Sequence, residues 1–190
     1  HYIATCYEAM GDTAMSVETY KQGIEAYPEN NVYLYIQLIN YYLGKKQLDQ
    51  AASFIRPAVA QDPENFSLWN VYGLAHEDSD MEAAITGYKK AIELNPEFFD
   101  PYYNLGTIYF NRGVEANNEA MSIPLSETEK YNATILLRDE HFDNAMPYYE
   151  KAHEIDPNYG DVLVALKEIY YRKQMTDKLA EVTKKIEDLK

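Results

Sequence analysis

Apolar residues recur at steps of three and four along most of the chain, which is the spacing of one face of an α-helix. Long runs of Val, Ile and Thr, which would favour strands, are absent, and only 8 Gly and 8 Pro interrupt the 190 residues. Near the C-terminus, apolar residues occupy one face of the predicted helix and charged residues the other. The apolar residues are Leu179, Val182, Ile186 and Leu189. The pattern predicts an all-α protein.

Prolines divide the helical pattern at near-regular intervals. Pro28, Pro63, Pro96 and Pro157 follow one another at steps of 35, 33 and 61 residues. Five residues before each proline stands a small residue, and three residues before that stands a large one. The small residues are Gly23, Ala58, Ala91 and Ala152, and the large ones are Tyr20, Ile55, Tyr88 and Tyr149. A small residue lets a second helix approach, the large one fills the space beside it, and proline ends the helix. The chain is therefore predicted to repeat a unit of two packed helices.

Each helix that ends at a repeat proline is the second helix of its repeat, and a first helix with its own sequence signature precedes it. Residues 69–76 and 102–109 match the theme W-x-x-L-G-x-x-Y, and Tyr35, Leu38 and Tyr42 match it more loosely. This theme, with a period of about 34 residues, is that of tetratricopeptide repeats. The chain resembles the tetratricopeptide family over nearly its whole length. The resemblance implies a right-handed α-α superhelix, that is, a solenoid of helix-turn-helix repeats.

The repeats are expected to form a single solenoid domain of residues 1–190 with about five repeats. We place them at residues 1–28, 29–63, 64–96, 97–157 and 158–190. The last repeat ends in an amphipathic helix, as a terminal repeat needs a polar outer side. Since the first repeat shows no such cap, we expect the natural protein to continue upstream of His1.

The fourth repeat contains an insertion of about 27 residues relative to a 34-residue repeat, and residues 111–139 separate its two helices. Helix-forming residues lie on both sides of a break at residues 122–125, and Ser126 and Glu129 have the spacing of a capping box. We predict that each helix gains about 13 residues, roughly 20 Å, to form a projecting hairpin. The alternative is a packed or disordered loop.

The tip of this hairpin would carry three apolar residues, Met121, Ile123 and Leu125. If they are exposed, they form an apolar patch that contacts a partner. The alternative is that they fold back onto the hairpin's own core.

Pro57 departs from the repeat pattern because it lies inside a predicted helix. There it removes a hydrogen bond, at a cost of about 3 kcal/mol or more. The second helix of the second repeat is therefore predicted to bend or to start late.

In the tetratricopeptide family the first helices line a concave groove that holds peptides or protein segments. Transferred by position alone, the candidate groove residues are Tyr33, Gln37, Asn40, Asn70, Tyr103, Asn104, Thr107 and Asn111. None is Lys or Arg, so the cationic clamp with which some members hold the carboxylate of heat-shock chaperones is not expected. Asn amides can pair with a peptide backbone, and Tyr rings add flat apolar area and a hydroxyl. The groove resembles one for an extended, neutral or basic polypeptide; the alternative is a solvated groove that binds nothing specific.

Charge and motifs narrow the function further. The formal net charge of −14 argues against nucleic acid and anionic membranes, and no apolar run is long enough to span a bilayer. No phosphate-binding loop, nucleophile motif or metal-ligand spacing is present, so we expect no catalysis, no cofactor and no metal.

The leading hypothesis is a protein-interaction scaffold with no enzymatic activity. Its alternatives are a structural module that self-associates through the hairpin, and a carbohydrate-binding accessory protein, suggested by 19 Tyr. The residues leave open the partner, the oligomeric state and the compartment, whether cytoplasmic or periplasmic.

Overall fold

The computed structural model describes residues 2–29 and 31–189, except for the side chain of Glu8, and these residues form helices and no strand. The helices are α1 (Tyr2–Ala9), α2 (Thr13–Ala26), α3 (Val32–Gly44), α4 (Leu48–Gln61), α5 (Phe66–His76), α6 (Met81–Leu94), α7 (Phe99–Ser122), α8 (Thr128–Ile155), α9 (Gly160–Arg172) and α10 (Thr176–Asp188). The predicted all-α fold class is confirmed.

The helices form two compact units, His1–Pro96 and Glu97–Lys190. In the N-terminal unit each helix from α1 to α6 packs against the next one in the chain. In the C-terminal unit α7 packs on α8, α8 on α9 and α9 on α10. Contacts between neighbours in sequence therefore build both units, as expected for stacked helical repeats.

An aromatic ring seated over a glycine holds a helix pair together in each unit. A Cβ added at Gly73 on α5 would lie 2.6 Å from Cε1 of Tyr88 on α6. In the C-terminal unit, a Cβ at Gly106 on α7 would lie 2.8 Å from Cδ1 of Tyr149 on α8. Both tyrosines are buried. The missing side chain thus makes room for the ring and lets the two helices pack closely.

The helices α7 and α8 are 24 and 28 residues long, whereas α4 and α6 have 14 residues each. The extra length continues the ring-over-glycine packing, because a Cβ added at Gly113 would lie 2.9 Å from Cε1 of Phe142. Gly113 lies seven residues after Gly106 and Phe142 lies seven residues before Tyr149, which is about two turns along each helix. Beyond them, the small residues Ala116 and Ala120 are buried on α7. The long hairpin therefore has a packed core of its own.

The predicted capping box at the start of α8 is wrong. The helix begins at Thr128 after the N-cap residue Glu127, and no side chain caps it by a hydrogen bond. The Glu127 N–H instead donates to Pro124 O at 2.9 Å, and Thr128 Oγ1 donates to Leu125 O at 3.4 Å. This turn delays the helix and removes Ser126 from the cap position.

Of the two outcomes predicted for the helix that contains Pro57, a bend or a late start, the late start is excluded, since α4 runs from Leu48 to Gln61. The carbonyl that loses its donor to Pro57 is that of Ser53, four residues earlier. Ser53 is exposed, so water can replace the missing bond.

A side-chain network ties the end of α4 to the segment between α2 and α3. Gln61 Nε2 donates to Asn31 Oδ1 at 2.9 Å and to Pro28 O at 3.1 Å, and Gln61 Oε1 accepts from Asn31 N–H at 3.0 Å. Asn31 is buried, and its Nδ2 also donates to Tyr27 O. One glutamine therefore satisfies two polar groups of a buried asparagine.

We expect Gln61→Ala to lower the free energy of unfolding by about 2 kcal/mol, because it leaves buried polar groups of Asn31 without partners. Urea titration followed by circular dichroism measures this. Gln50→Ala, on the exposed side of the same helix, is the control and should change stability by less than about 0.5 kcal/mol. Equal stability of the two variants would contradict the network's role.

Candidate protein-binding surfaces

In the N-terminal unit the candidate groove residues fall on α3 and α5. Tyr33, Gln37 and Asn40 share one face of α3, because they are four and three residues apart. Tyr33 and Asn40 are exposed and Gln37 is half-buried. This face carries no charge, so it offers an aromatic ring and two amides to a ligand.

Asn70 on α5 is placed differently, because only 8% of its surface is exposed. Its Oδ1 atom has no hydrogen-bond partner among the residues that the structure describes. An unsatisfied buried acceptor costs about 1–3 kcal/mol. Position in the repeat predicted this residue's helix but did not predict its burial.

In the C-terminal unit, Tyr103 lies in an aromatic cluster. Its ring centroid is 5.9 Å from that of Phe99, 5.2 Å from that of Tyr159 and 6.4 Å from that of Tyr149. The pKa of Tyr103 is raised, mainly by burial of the ring. Burial also raises the pKa of Tyr149 to about 12. Both phenols therefore stay neutral near pH 7, and the ring of Tyr103 contributes to packing.

The remaining candidates on α7 are Asn104, Thr107 and Asn111, and they differ in how far they are exposed. Thr107 Oγ1 donates to Tyr103 O at 2.8 Å and lies 3.1 Å from Tyr149 Oη. Asn104 is half-buried and Asn111 is exposed. In this unit Asn111 is thus the accessible amide of the predicted set.

The three predicted residues at the hairpin tip have two different environments. Ile123 is 9% exposed, whereas Met121 is 79% exposed and Leu125 is fully exposed. Ile123 folds back onto the hairpin and the other two project from it, so each of the two alternatives applies to part of the tip.

A pocket of about 350 Å³ opens at this tip. Its lining is mostly apolar and consists of Ala120, Met121, Ile123, Pro124, Leu125, Thr128 and Tyr131. Tyr131 is exposed, because α8 has only just begun there and little chain covers it. The tip therefore combines a concave apolar surface with exposed apolar residues.

A second cavity, of about 290 Å³, lies where α8 meets the end of α9. Its lining includes Arg138, Arg172 and Lys173, but each cation already faces a carboxylate. Arg138 pairs with Asp139 at 2.7 Å, Arg172 with Glu168 at 2.6 Å, and Lys173 with Asp143. These pairs leave no free cation to attract an anionic ligand.

The described part of the chain contains neither a metal site nor a membrane-spanning helix. No group of three His, Cys, Asp or Glu side chains is placed to hold a metal ion there. None of the helices in that part combines the length and the apolar character needed to cross a membrane.

Family comparisons agree with the helix packing. The family described as "TPR repeat" matches residues 76–113, and the one described as "Tetratricopeptide repeat" matches residues 3–30 and 133–159. These segments of the chain are tetratricopeptide repeats.

The chain is similar to three known proteins in sequence or in structure. The photosystem I assembly protein Ycf3 of Acaryochloris marina (strain MBIC 11017) is 25% identical over 176 residues, which cover 85% of this chain and 90% of that protein. The crystal structure of MamA superposes with a TM-score of 0.72 at 24% identity, covering 98% of this chain and 94% of MamA.

YrrB, described as a TPR protein with an unusual peptide-binding site, superposes with a TM-score of 0.68 at 18% identity, covering 98% of this chain and 82% of YrrB. At these identities the two structures show a shared fold. The tetratricopeptide repeat matches, and not these structures, support a protein–protein interaction scaffold.

Proposed function

We propose that this scaffold binds an extended segment of another protein along the first helices of its repeats, and that it works by binding and not by catalysis. The observation that carries the proposal is the uncharged face of α3, where Tyr33 and Asn40 are exposed and Gln37 lies between them. The peptide-binding site named for YrrB supports the proposal by analogy. We keep the division into five repeats as part of this proposal.

The chemistry of the α3 face selects the kind of ligand. A Tyr ring buries flat apolar area at a low entropic cost, and an amide both donates to and accepts from a peptide backbone. Because no cation is present, a terminal carboxylate or an acidic segment finds no counter-charge. The proposed ligand is therefore an extended segment that is neutral or basic.

The other candidate residues take different parts in the proposal. Within the C-terminal unit, Asn111 on α7 is accessible and Asn104 is half-buried, and we propose both as contacts for a ligand of that unit. Tyr103 and Thr107 hold α7 through their contacts with Tyr149. Asn70 is too buried to meet a ligand without a rearrangement of its side chain, so its contribution is expected to be small.

A selection from random 12-residue linear peptides tests the groove. We expect the selected peptides to bind Tyr33→Ala/Asn40→Ala at least ten-fold more weakly than the wild type, a loss of about 1.4 kcal/mol. Fluorescence anisotropy of labelled peptides measures the affinities.

The control variant is Tyr27→Ala/Asn144→Ala, which removes one exposed Tyr and one exposed Asn outside the first helices. It should bind the same peptides within about two-fold of the wild type, because it leaves the α3 face unchanged. Equal affinity of all three proteins, or a selection that yields no binder, would remove the groove from the proposal.

The hairpin tip is the second contact surface that we propose. Met121 and Leu125 are exposed there beside an apolar pocket, and exposed apolar surface of this kind marks interaction sites.

A further inference from the structure

The pocket at the hairpin tip is held in shape by the turn that forms it. Ile123 N–H donates to Ala120 O at 3.2 Å, and Glu127 N–H donates to Pro124 O at 2.9 Å. Ser122 Oγ also donates to Glu119 O at 2.7 Å. A surface ordered before binding saves the entropy of ordering it in the complex.

The pocket has a buried base and an exposed rim. Ala120 and Ile123 are buried and form its base, whereas Met121, Leu125 and Tyr131 are exposed around it. Its volume, about 350 Å³, is at the small end of the range of ligand pockets and suits a single large apolar side chain. A ligand that covers the exposed side chain of Leu125 removes apolar surface from water and gains affinity from it.

Acidic residues surround this apolar pocket in the sequence. Glu119 precedes Ala120, and Glu127 and Glu129 flank Thr128, which lines the pocket. All three are exposed, and none forms an ion pair within residues 2–29 and 31–189. Lys130 is the one cation between residues 119 and 131. These three carboxylates, here called the acidic rim, adjoin lining residues in the chain. Their unpaired negative charge beside an apolar centre complements a ligand with cations around an apolar anchor.

We infer that the tip pocket binds a basic amphipathic segment of a partner protein, which inserts one large apolar side chain between Met121 and Leu125 and places Lys or Arg against Glu119, Glu127 and Glu129. The inference rests on the proposed interaction function and specifies the partner at its second surface. A second copy of this chain is a poorer occupant, because it brings a net charge of −14 and the same acidic rim. Anionic membranes are disfavoured for the same reason.

The probe for this inference is a labelled 13-residue amphipathic peptide. It has a central Trp, a Leu four residues before it, and Lys on the helix face opposite to Trp and Leu. We expect it to bind Met121→Ser/Leu125→Ser at least ten-fold more weakly than the wild type, as measured by fluorescence anisotropy. The matched control is Met10→Ser/Leu136→Ser, which removes an exposed Met and an exposed Leu elsewhere and should bind within two-fold of the wild type. Circular dichroism checks that both variants keep their helices.

A pair of charge variants separates a local site from general attraction to an acidic protein. Glu127→Gln/Glu129→Gln should weaken binding at least five-fold, whereas Glu25→Gln/Glu29→Gln, which neutralises two exposed carboxylates of the N-terminal unit, should leave it within two-fold. A peptide with Glu in place of every Lys should not bind. Equal weakening by the two charge variants would overturn the inference.

Other outcomes separate the inference from the proposed function. If the basic peptide binds no better than its acidic counterpart while groove-selected peptides still depend on Tyr33 and Asn40, the pocket inference fails and the groove proposal stands. If Met121→Ser/Leu125→Ser, the tip variant, loses binding of the basic peptide and no groove-dependent peptide exists, the groove proposal fails and the pocket inference stands. A concentration-dependent dimer in sedimentation that the tip variant abolishes would assign the pocket to a second copy and overturn the inference.

Discussion

Replacing Phe142 with alanine is expected to lower the free energy of unfolding by about 4 kcal/mol. Only 2% of this side chain is exposed. Its ring centroid lies 5.3 Å from that of Phe110, and the guanidinium of Arg172 lies 5.0 Å from the ring centroid. Because Gly113 faces the ring and has no side chain, little can move into the cavity that the truncation leaves.

Urea unfolding followed by far-ultraviolet circular dichroism measures this loss. Leu136→Ala is the control, because Leu136 is exposed on the same helix and its truncation should cost less than about 0.5 kcal/mol. Phe142 packs along the hairpin between the Tyr149 contact and the tip, so its loss should also weaken peptide binding at the tip pocket. A loss of stability below about 1 kcal/mol would contradict the packing described for the long hairpin.

The second large effect is expected from Gly87→Ala, which should lower the free energy of unfolding by about 3 kcal/mol. A Cβ at this position on α6 would lie 2.7 Å from Gly73 N and 2.9 Å from Trp69 O, both on α5. These are backbone atoms, so no side-chain rotation relieves the overlap. The two helices must separate, and their other contacts weaken with them.

Trp69 is the only tryptophan in the sequence, so its fluorescence during urea unfolding reports on this helix pair. Gly44→Ala is the control, because nothing lies within 4 Å of a Cβ added there. Alanine has the higher helix propensity, so the control should be as stable as the wild type or slightly more stable. Wild-type stability in Gly87→Ala would show that α5 and α6 do not approach as closely as the structure indicates.

The sequence alone predicted where four helices end. The helices α2, α4, α6 and α8 all end two residues before a proline of the repeat pattern, at Ala26, Gln61, Leu94 and Ile155. Proline has no N–H to donate and disfavours helical backbone in the residue before it, so this boundary is a local property that needs no tertiary contact.

The same local rule failed at Pro57 and Pro147, which both lie inside helices. In each case the residue four positions earlier, Ser53 or Asp143, is exposed. Water can serve the freed carbonyl there, while buried neighbours such as Ile55 and Ala145 keep the helix packed. Whether a proline ends a helix thus depends on which side of the helix faces solvent, and only the fold decides that.

The sequence alone predicted an all-α protein that resembles the tetratricopeptide family. The signals were the periodicity of apolar residues, the spacing of small and large residues before each proline, and the theme W-x-x-L-G-x-x-Y. They were sufficient because helix formation and close helix packing depend on residues near one another in the chain. The tertiary structure decided which candidate binding residues are accessible. It buried Asn70 and Ile123 and left Tyr33, Asn40, Met121 and Leu125 exposed. Their exposure depends on which helices and turns cover them, and residues distant in the sequence determine that cover.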